Sequence, residues 1–345
     1  MAPNSVLATD STQRHRRAGL AAALVSVPFL PAVTEAFYIT QTNGLQNYAP
    51  VVPLIAAYLG WRGGAESSAE GIGPGKAASL GSTDTACPLG HRRPQPGQGT
   101  DQSDPEHAAP IGGPLVLQST RRLLLVVASS TSATALVGAR IAGDPALAAG
   151  LRVVAWVALL GGALAVTLGR EEFARWKLPL LLLLFIAPLP HAVVSACEEV
   201  LQHGSAACAR FLLELHGTPV HLERLTLHLR GMSLWVAPEC SGLRSSLVLL
   251  LLTVVAAGAL LRTTPARLAL FIAVAPIAIA RNGLRIFVIG ELCAQDGPAA
   301  LDSLLHRQGG PVFFALSLLP WTLLLLALCR REATARRPVP VYQST

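Results

Sequence analysis

The sequence predicts an all-α polytopic membrane protein of about eight transmembrane helices with a small extracytoplasmic β-hairpin, and three observations lead there. Of its 345 residues, 52% are hydrophobic and only 14% charged, where a soluble domain carries about 25% charged residues; the mean hydropathy is +0.49. Eight apolar runs approach the ~20 residues a helix needs to cross a bilayer. The arginines stand in small groups beside those runs, as topology signals do. With a net charge of +7 but no basic stripe interleaved with aromatics, the chain is not expected to bind nucleic acid.

The runs are taken in order. Ala18 to Ile39 follows Arg14, Arg16 and Arg17, exceeds signal-peptide length and has no small-residue cleavage site behind it, so it is expected to stay as the first membrane helix. Leu45 to Trp61 is shorter and carries Pro50 and Pro53, which admits a re-entrant course. These make up an N-terminal tail and first two spans, residues 1–61. From Arg62 to Gly113 the composition turns to Gly, Ser, Pro, Asp and Gln, too polar to bury a core, so residues 62–113 are expected to be a disordered cytoplasmic loop. Cys87 and His91 lie within it and are assigned no chemistry.

Residues 114–330 form the membrane core, and 331–345 a cytoplasmic tail. The core opens with Leu123 to Ala142 and Leu147 to Leu168, then Leu178 to Ala196, whose Pro188-Leu189-Pro190 breaks the helix near one face. Cys197 to His216 mixes Glu198, Glu199, His203 and Arg210 with Leu201, Phe211 and Leu215, a pattern for an amphipathic surface helix. Leu225, Leu227 and Leu229 then alternate with Thr226, His228 and Arg230, and Gly231 and Met232 to Val236 follow, which reads as a β-hairpin. Three further runs, Gly242 to Leu261, Pro265 to Ile289 and Gly310 to Cys329, complete the eight.

Orientation follows from the basic groups. Arg14 to Arg17, Arg62, Arg121 with Arg122, Arg170 to Lys177, Arg262 with Arg267, and Arg330 onward fall on one side of an eight-span arrangement, placing both termini in the cytoplasm. Arg140, Arg152 and a set between Arg210 and Arg307 fall on the other side, against the rule.

That opposite side gathers the residues with chemistry. Cys240 opens the sixth span; Arg281-Asn282-Gly283-Leu284-Arg285 ends the seventh; His306 precedes the eighth. A cysteine at a helix start beside a cation is favoured as thiolate, the form that attacks carbonyl carbon. Arg285 can stabilise an oxyanion, and His306 can take and return a proton. Ser241, Arg244, Arg281 and Asn282 are candidate supporting or substrate-binding residues. Plainer readings stand beside these: Cys240 as a packed thiol or a disulfide partner of Cys197, Cys208 or Cys293, Arg281 as a lipid-phosphate contact or a snorkelling side chain, and Arg244 paired with Glu239. The six cysteines show no zinc-ligand spacing, so no metal and no cofactor is expected.

Pro238-Glu239-Cys240-Ser241-Gly242-Leu243-Arg244-Ser245, Asn282-Gly283-Leu284-Arg285, and His306 followed by Gly310 together resemble the three ordered motifs of the exosortase/archaeosortase transpeptidases. The apolar Pro179 to Pro190 segment and, more weakly, Tyr48 to Trp61 add to the resemblance, which covers about Trp176 to Cys329. It implies a multi-pass enzyme of the bacterial inner membrane with its active site on the extracytoplasmic face. Cys240, Arg285 and His306 would be its catalytic residues. Its partners would be exported proteins carrying a C-terminal sorting signal, made of a Pro-Glu-Pro-like motif, a membrane helix and a basic tail, together with membrane lipids. The reaction would be cysteine transpeptidation or proteolysis through a thioester. The polar loop 62–113 departs from the family pattern. Two other classes stay open: a non-catalytic membrane transporter gathering anions, and an accessory protein of polysaccharide export.

Overall fold

The computed structural model describes residues 4–60, 114–168, 170–229, 232–238, 241–296 and 310–335. The expected loop 62–113 lies outside them, as do Cys240, Glu239 and His306. Each of the eight apolar runs is mainly helical where described, with turns at residues 45–48 and an irregular break at 187–190.

The first run is two helices, α1 (Asn4–Ser26) and α2 (Leu30–Thr42), joined by a 3-10 turn at Val27–Phe29. Pro28 and Pro31 each lack the N–H for an i→i−4 bond, and the helix tightens there. The short α3 (Ala49–Gly60) follows. Helices α4 (Pro114–Ile141) and α5 (Pro145–Thr167) form an antiparallel pair. Gly138 meets Leu151, Gly162 meets Ala128, and Ser132 Oγ donates to Ala155 O at 2.9 Å between them. Helix α6 (Arg170–Leu183) tightens through Leu184–Ile186 and stops at the Pro188-Leu189-Pro190 break, after which α7 (His191–His216) sets off at 92°.

Helix α7 is amphipathic, as its sequence predicts, but starts six residues before Cys197. It buries Leu201, Gln202, Ser205, Ala206, Ala209 and Leu213 and leaves Val200, Phe211 and Leu215 exposed. The expected hairpin is present as β2 (Thr226–Leu229) and β3 (Met232–Trp235). A further strand, β1 (His221–Glu223), pairs with β2 to make an antiparallel sheet of order β1-β2-β3. Three residues are too few to display a period of two, so β1 was not legible. The inner face of the sheet, Leu227, Leu229 and Val236, packs on Leu213 of α7 and Ile286 of the helix α10 described next.

Helices α8 (Leu243–Leu260), α9 (Thr264–Ile272), α10 (Val274–Asp296) and α11 (Gly310–Thr334) close the fold. Leu249, Leu261, Leu270, Trp321 and Leu325 form their shared core, and Trp321 Nε1 donates to Thr253 Oγ1 at 2.9 Å inside it. Helix α10 does not end at Arg281–Arg285, as the seventh run suggests. It continues to Asp296, and those extra turns carry the sheet and the end of α7: Gly290 touches Leu213 and Leu229, and Glu291 accepts from Thr218 Oγ1.

Among the described residues, five stretches are long and apolar enough to cross a membrane: Gln13–Thr42, Pro145–Thr167, Leu243–Leu260, Thr264–Gln295 and Gly310–Thr334. The bent pair Glu172–Ile186 and His191–His216 makes a sixth if it counts as one span. The eight-span expectation is thus not reproduced in number. Ala49–Gly60, at 1.5 Å per residue, reaches about 18 Å against a hydrocarbon core of about 30 Å, and Leu125–Ile141 is likewise a shorter apolar helix.

The two ends of the bundle differ in chemistry. At one end Trp176 packs on Gly60 and Leu178 on Gly258. There Glu332 accepts from Arg262 N–H and Thr263 N–H, and His15, Leu168 and Trp176 meet around one cavity. The basic groups from Arg14 to Arg17, Arg175, Lys177, Arg262 and Arg330 therefore collect at this end. At the other, Thr42, Asp144, Leu189, Ser241 and Gly310 come together.

Candidate active site

The approach to Cys240 is held from below. Gln202 on α7 is only 6% exposed, and its Nε2 donates to Val236 O at 2.9 Å. That bond ties the chain leaving β3 to α7, four residues before the cysteine. After the cysteine, Ser241 is buried, and its Oγ accepts from Leu243 N–H at 3.3 Å, covering one of the free donors at the start of α8.

Gly242 caps that helix with φ 76°, in the left-handed region where a side chain is strained. A Cβ on it would also fall 2.7 Å from Arg281 Nη2 and 3.2 Å from Asn282 Cγ. Glycine is therefore required twice over, by torsion and by the approach of α10. Arg281 Nη2 donates to Gly242 O at 2.9 Å and to Ser246 Oγ at 3.4 Å. At 6% exposed, Arg281 does not reach lipid phosphates or snorkel, and that reading is corrected: the arginine braces the start of α8 from inside the protein. Its Nη1 is buried with no hydrogen-bond partner among the described residues. Asn282 is also buried, 2% exposed.

One helical turn on, Arg285 looks into a cavity of about 1310 Å³. Pro238 and Ser241, on either side of the residues 239–240, line the same cavity, as do Arg244, Arg285 and Gly310. Ser241 and Arg285, 44 positions apart in sequence, thus share one wall. Arg244 is exposed and turns toward the loop after α2, where a Cβ on Gly44 would lie 3.3 Å from its Nη2. Cys240 and His306 lie outside the described residues; Ser241, the next residue after Cys240, and Gly310, four positions after His306, line this wall.

The remaining wall comes from residues that carry no motif. Gln46, 4% exposed, donates through Nε2 to Ala187 O at 3.0 Å and Phe185 O at 3.3 Å, and accepts from Leu189 N–H at 3.3 Å. It satisfies the backbone that the proline break leaves open and pins the loop after α2 against the cavity. Asp144 caps α5 through Oδ1, accepting from Ala146 N–H at 2.8 Å, and through Oδ2 accepts from His191 N–H, the first residue of α7, at 2.9 Å. The His191 N–H holds the Asp144 carboxyl below the usual carboxylate range. An Asp-Pro pair before an apolar run is a readable helix start; nothing in the sequence marks Gln46 or Gln202.

Other groups separate from the site. Arg152 forms an ion pair with Glu35 and Arg210 with Glu214, which accounts for two of the arginines that the charge rule left on the cavity side. Cys197, Cys208, Cys293 and Cys329 are free thiols.

A cavity that is apolar over most of its wall, with two guanidinium groups and a strained helix start at one side, suits an extended acyl substrate whose carbonyl must be polarised. The family model described as transmembrane exosortase (Exosortase_EpsH) matches residues 103–323, more than half of the chain, and the match spans Cys240, Arg285 and His306. No curated protein and no solved structure matches.

Proposed function

This chain belongs to the transmembrane exosortase family, and from that premise we propose that it is a membrane cysteine transpeptidase or protease. It cleaves a C-terminal sorting signal from exported proteins. Cys240 is the nucleophile, Arg285 the oxyanion stabiliser and His306 the proton carrier. The observation that supports this most is the shared wall: the residues flanking Cys240, together with Arg285 and Gly310, face one cavity of about 1310 Å³ at the end away from the basic groups.

In the reaction, the Cys240 thiol gives its proton to His306, and the thiolate sulfur bonds to the scissile carbonyl carbon. The carbonyl π pair moves to oxygen, where Arg285 holds the negative charge. Collapse of the tetrahedral species breaks the C–N bond. The leaving amine takes the proton from imidazolium, and a thioester remains on Cys240. An acceptor amine or hydroxyl, or water, then attacks the thioester with His306 as base, and the thiolate departs. Ser241, Arg244, Arg281 and Asn282 act around this core: Arg281 and Asn282 position the start of α8, and Arg244 faces the substrate. The basic end lies in the cytoplasm with both termini, in the inner membrane, and the cavity opens on the extracytoplasmic side.

The test is substrate processing in cells that carry a tailed exported protein. Cys240→Ala and Cys240→Ser abolish its shortening, and the wild-type enzyme caught during turnover carries an acyl adduct of Cys240, detectable by mass spectrometry of the intact protein, that Cys240→Ala lacks and His306→Ala forms far more slowly. A transporter would leave Cys240→Ser silent. Normal processing by Cys240→Ala ends the proposal.

A further inference from the structure

The sheet beside the cavity ends in a strand with one open edge. Among the described residues β3 pairs with β2 alone. Leu227 pairs with Leu234 and Leu229 with Met232, and Val236 N–H donates to Leu225 O at 2.9 Å. The peptide groups of Met232, Leu234 and Val236 therefore turn toward β2. Successive residues of a strand alternate in direction, so the N–H and C=O of Ser233 and Trp235 point away from the sheet. Both residues are exposed, Trp235 by 60%. Edge strands are commonly blunted by Lys, Pro or an inward charge; Met232-Ser233-Leu234-Trp235 has none of these.

This edge is backed by packing and leads to the cavity. Met232 and Leu234 pack on Ile289, Leu292 and Cys293 of α10, so little ordering remains to be done when a ligand arrives. Three residues after Trp235, Pro238 lines the cavity, about 10 Å on at the rise of a strand. Cys240 follows two residues later.

We propose that the outer edge of β3 is the docking strip for the extended polypeptide that is cleaved, which adds to the sheet as a fourth strand and so runs into the cavity. Alternating donors and acceptors two residues apart match another extended backbone. Ser233 and Trp235 each offer one N–H and one C=O, and the Trp235 indole, beside Thr226 on the exposed face, supplies a flat apolar surface for a peptide side chain. The inference rests on the proposed peptide substrate and adds how that peptide is held.

The experiment uses full-length Cys240→Ala protein in lipid nanodiscs, so that binding is read without cleavage. Fluorescent peptides covering the stretch ahead of a substrate's membrane helix are N-methylated one position at a time, and affinity is measured by anisotropy. Strand addition gives a loss of about tenfold at every second position and under about twofold between them. Ser233→Pro, which removes an outward N–H and leaves the ladder to β2, weakens binding by a similar factor, while Ser233→Ala does not. Peptides that fail to bind, or that lose affinity with no two-residue period, overturn the proposal. So does a folded Ser233→Pro protein that binds as tightly as its parent. If Ser233→Pro unfolds, the N-methyl series on the parent protein decides alone. Periodic binding by Cys240→Ala beside a wild-type enzyme that cleaves nothing would sink the cleavage reading and leave the docking strip standing.

Discussion

Gly242→Ala tests the construction of the site most directly. The new methyl carries two separate costs. At φ 76° an L-residue is strained by roughly 1–2 kcal/mol. The Cβ also sits 2.7 Å from Arg281 Nη2, so the guanidinium must leave and its 2.9 Å bond to Gly242 O is lost, at about 1.5–3 kcal/mol for a hydrogen bond to a charged group. Taken together these amount to roughly 2.5–5 kcal/mol, and felt fully in the transition state they lower the processing rate by about 10²- to 10⁴-fold. Gly217→Ala is the matched control. Its φ is 90° and nothing lies within 4 Å of the added Cβ, so it bears the strain without touching the site. Both variants are compared for processing of a tailed substrate in nanodiscs and for thermal unfolding. The expected result is a lower Tm in both and a large rate loss only in Gly242→Ala. Equal rate losses, or a Gly242→Ala enzyme within threefold of wild type, would refute the reasoning.

Other outcomes follow from single contacts. Gln202→Leu leaves Val236 O unpaired in a buried place at about 1–3 kcal/mol; Tm falls, and alkylation of Cys240 by a small maleimide changes rate because the chain before it is released. Trp321→Phe removes the bond to Thr253 Oγ1; it lowers Tm by the equivalent of about 1 kcal/mol and leaves processing unchanged, since Trp321 lies in the core of α8, α9 and α11. Because the folded pKa of Asp144 is depressed, its contribution to stability is fully present above the unfolded value near ~4 and is lost as pH falls through the lower folded value. The Tm gap between wild type and Asp144→Asn is therefore flat above about pH 4 and narrows below it. In intact cells an impermeant maleimide labels Cys197, exposed near the cavity end, and spares Cys329, near the basic end; the opposite pattern would reverse the orientation.

Much of this protein is written plainly in its composition and runs. A chain with 52% hydrophobic and only 14% charged residues lacks the polar surface of an ordinary soluble domain, and the apolar runs form helices because backbone in lipid must satisfy its own hydrogen bonds. The proline break at Pro188-Leu189-Pro190 and the hairpin of β2 and β3, from the alternation in β2 and the run that follows it, are legible for equally local reasons. What local reasoning could not supply was length in context. The sequence places the end of the seventh span at its arginines because charged residues usually mark a membrane boundary. The continuation of α10 to Asp296 depends on α7 and the sheet packing along it.

The stretch around Cys240 divides in the same way. The sequence by itself determined which residue types could do acyl chemistry and in what order they occur, since a thiol, a guanidinium and an imidazole announce their reactivity without any fold. Tertiary structure alone decided that the residues flanking Cys240 and Arg285, 45 positions apart in sequence, face one cavity, and that Arg281 braces a helix start and not a lipid. It also brought in Gln46, Asp144 and Gln202, whose side chains act on the backbone of distant segments. The physical reason is that a backbone carbonyl carries no identity in a sequence. A glutamine that satisfies one 34 positions away, as Gln202 does for Val236, becomes visible only when the chain has brought the two together.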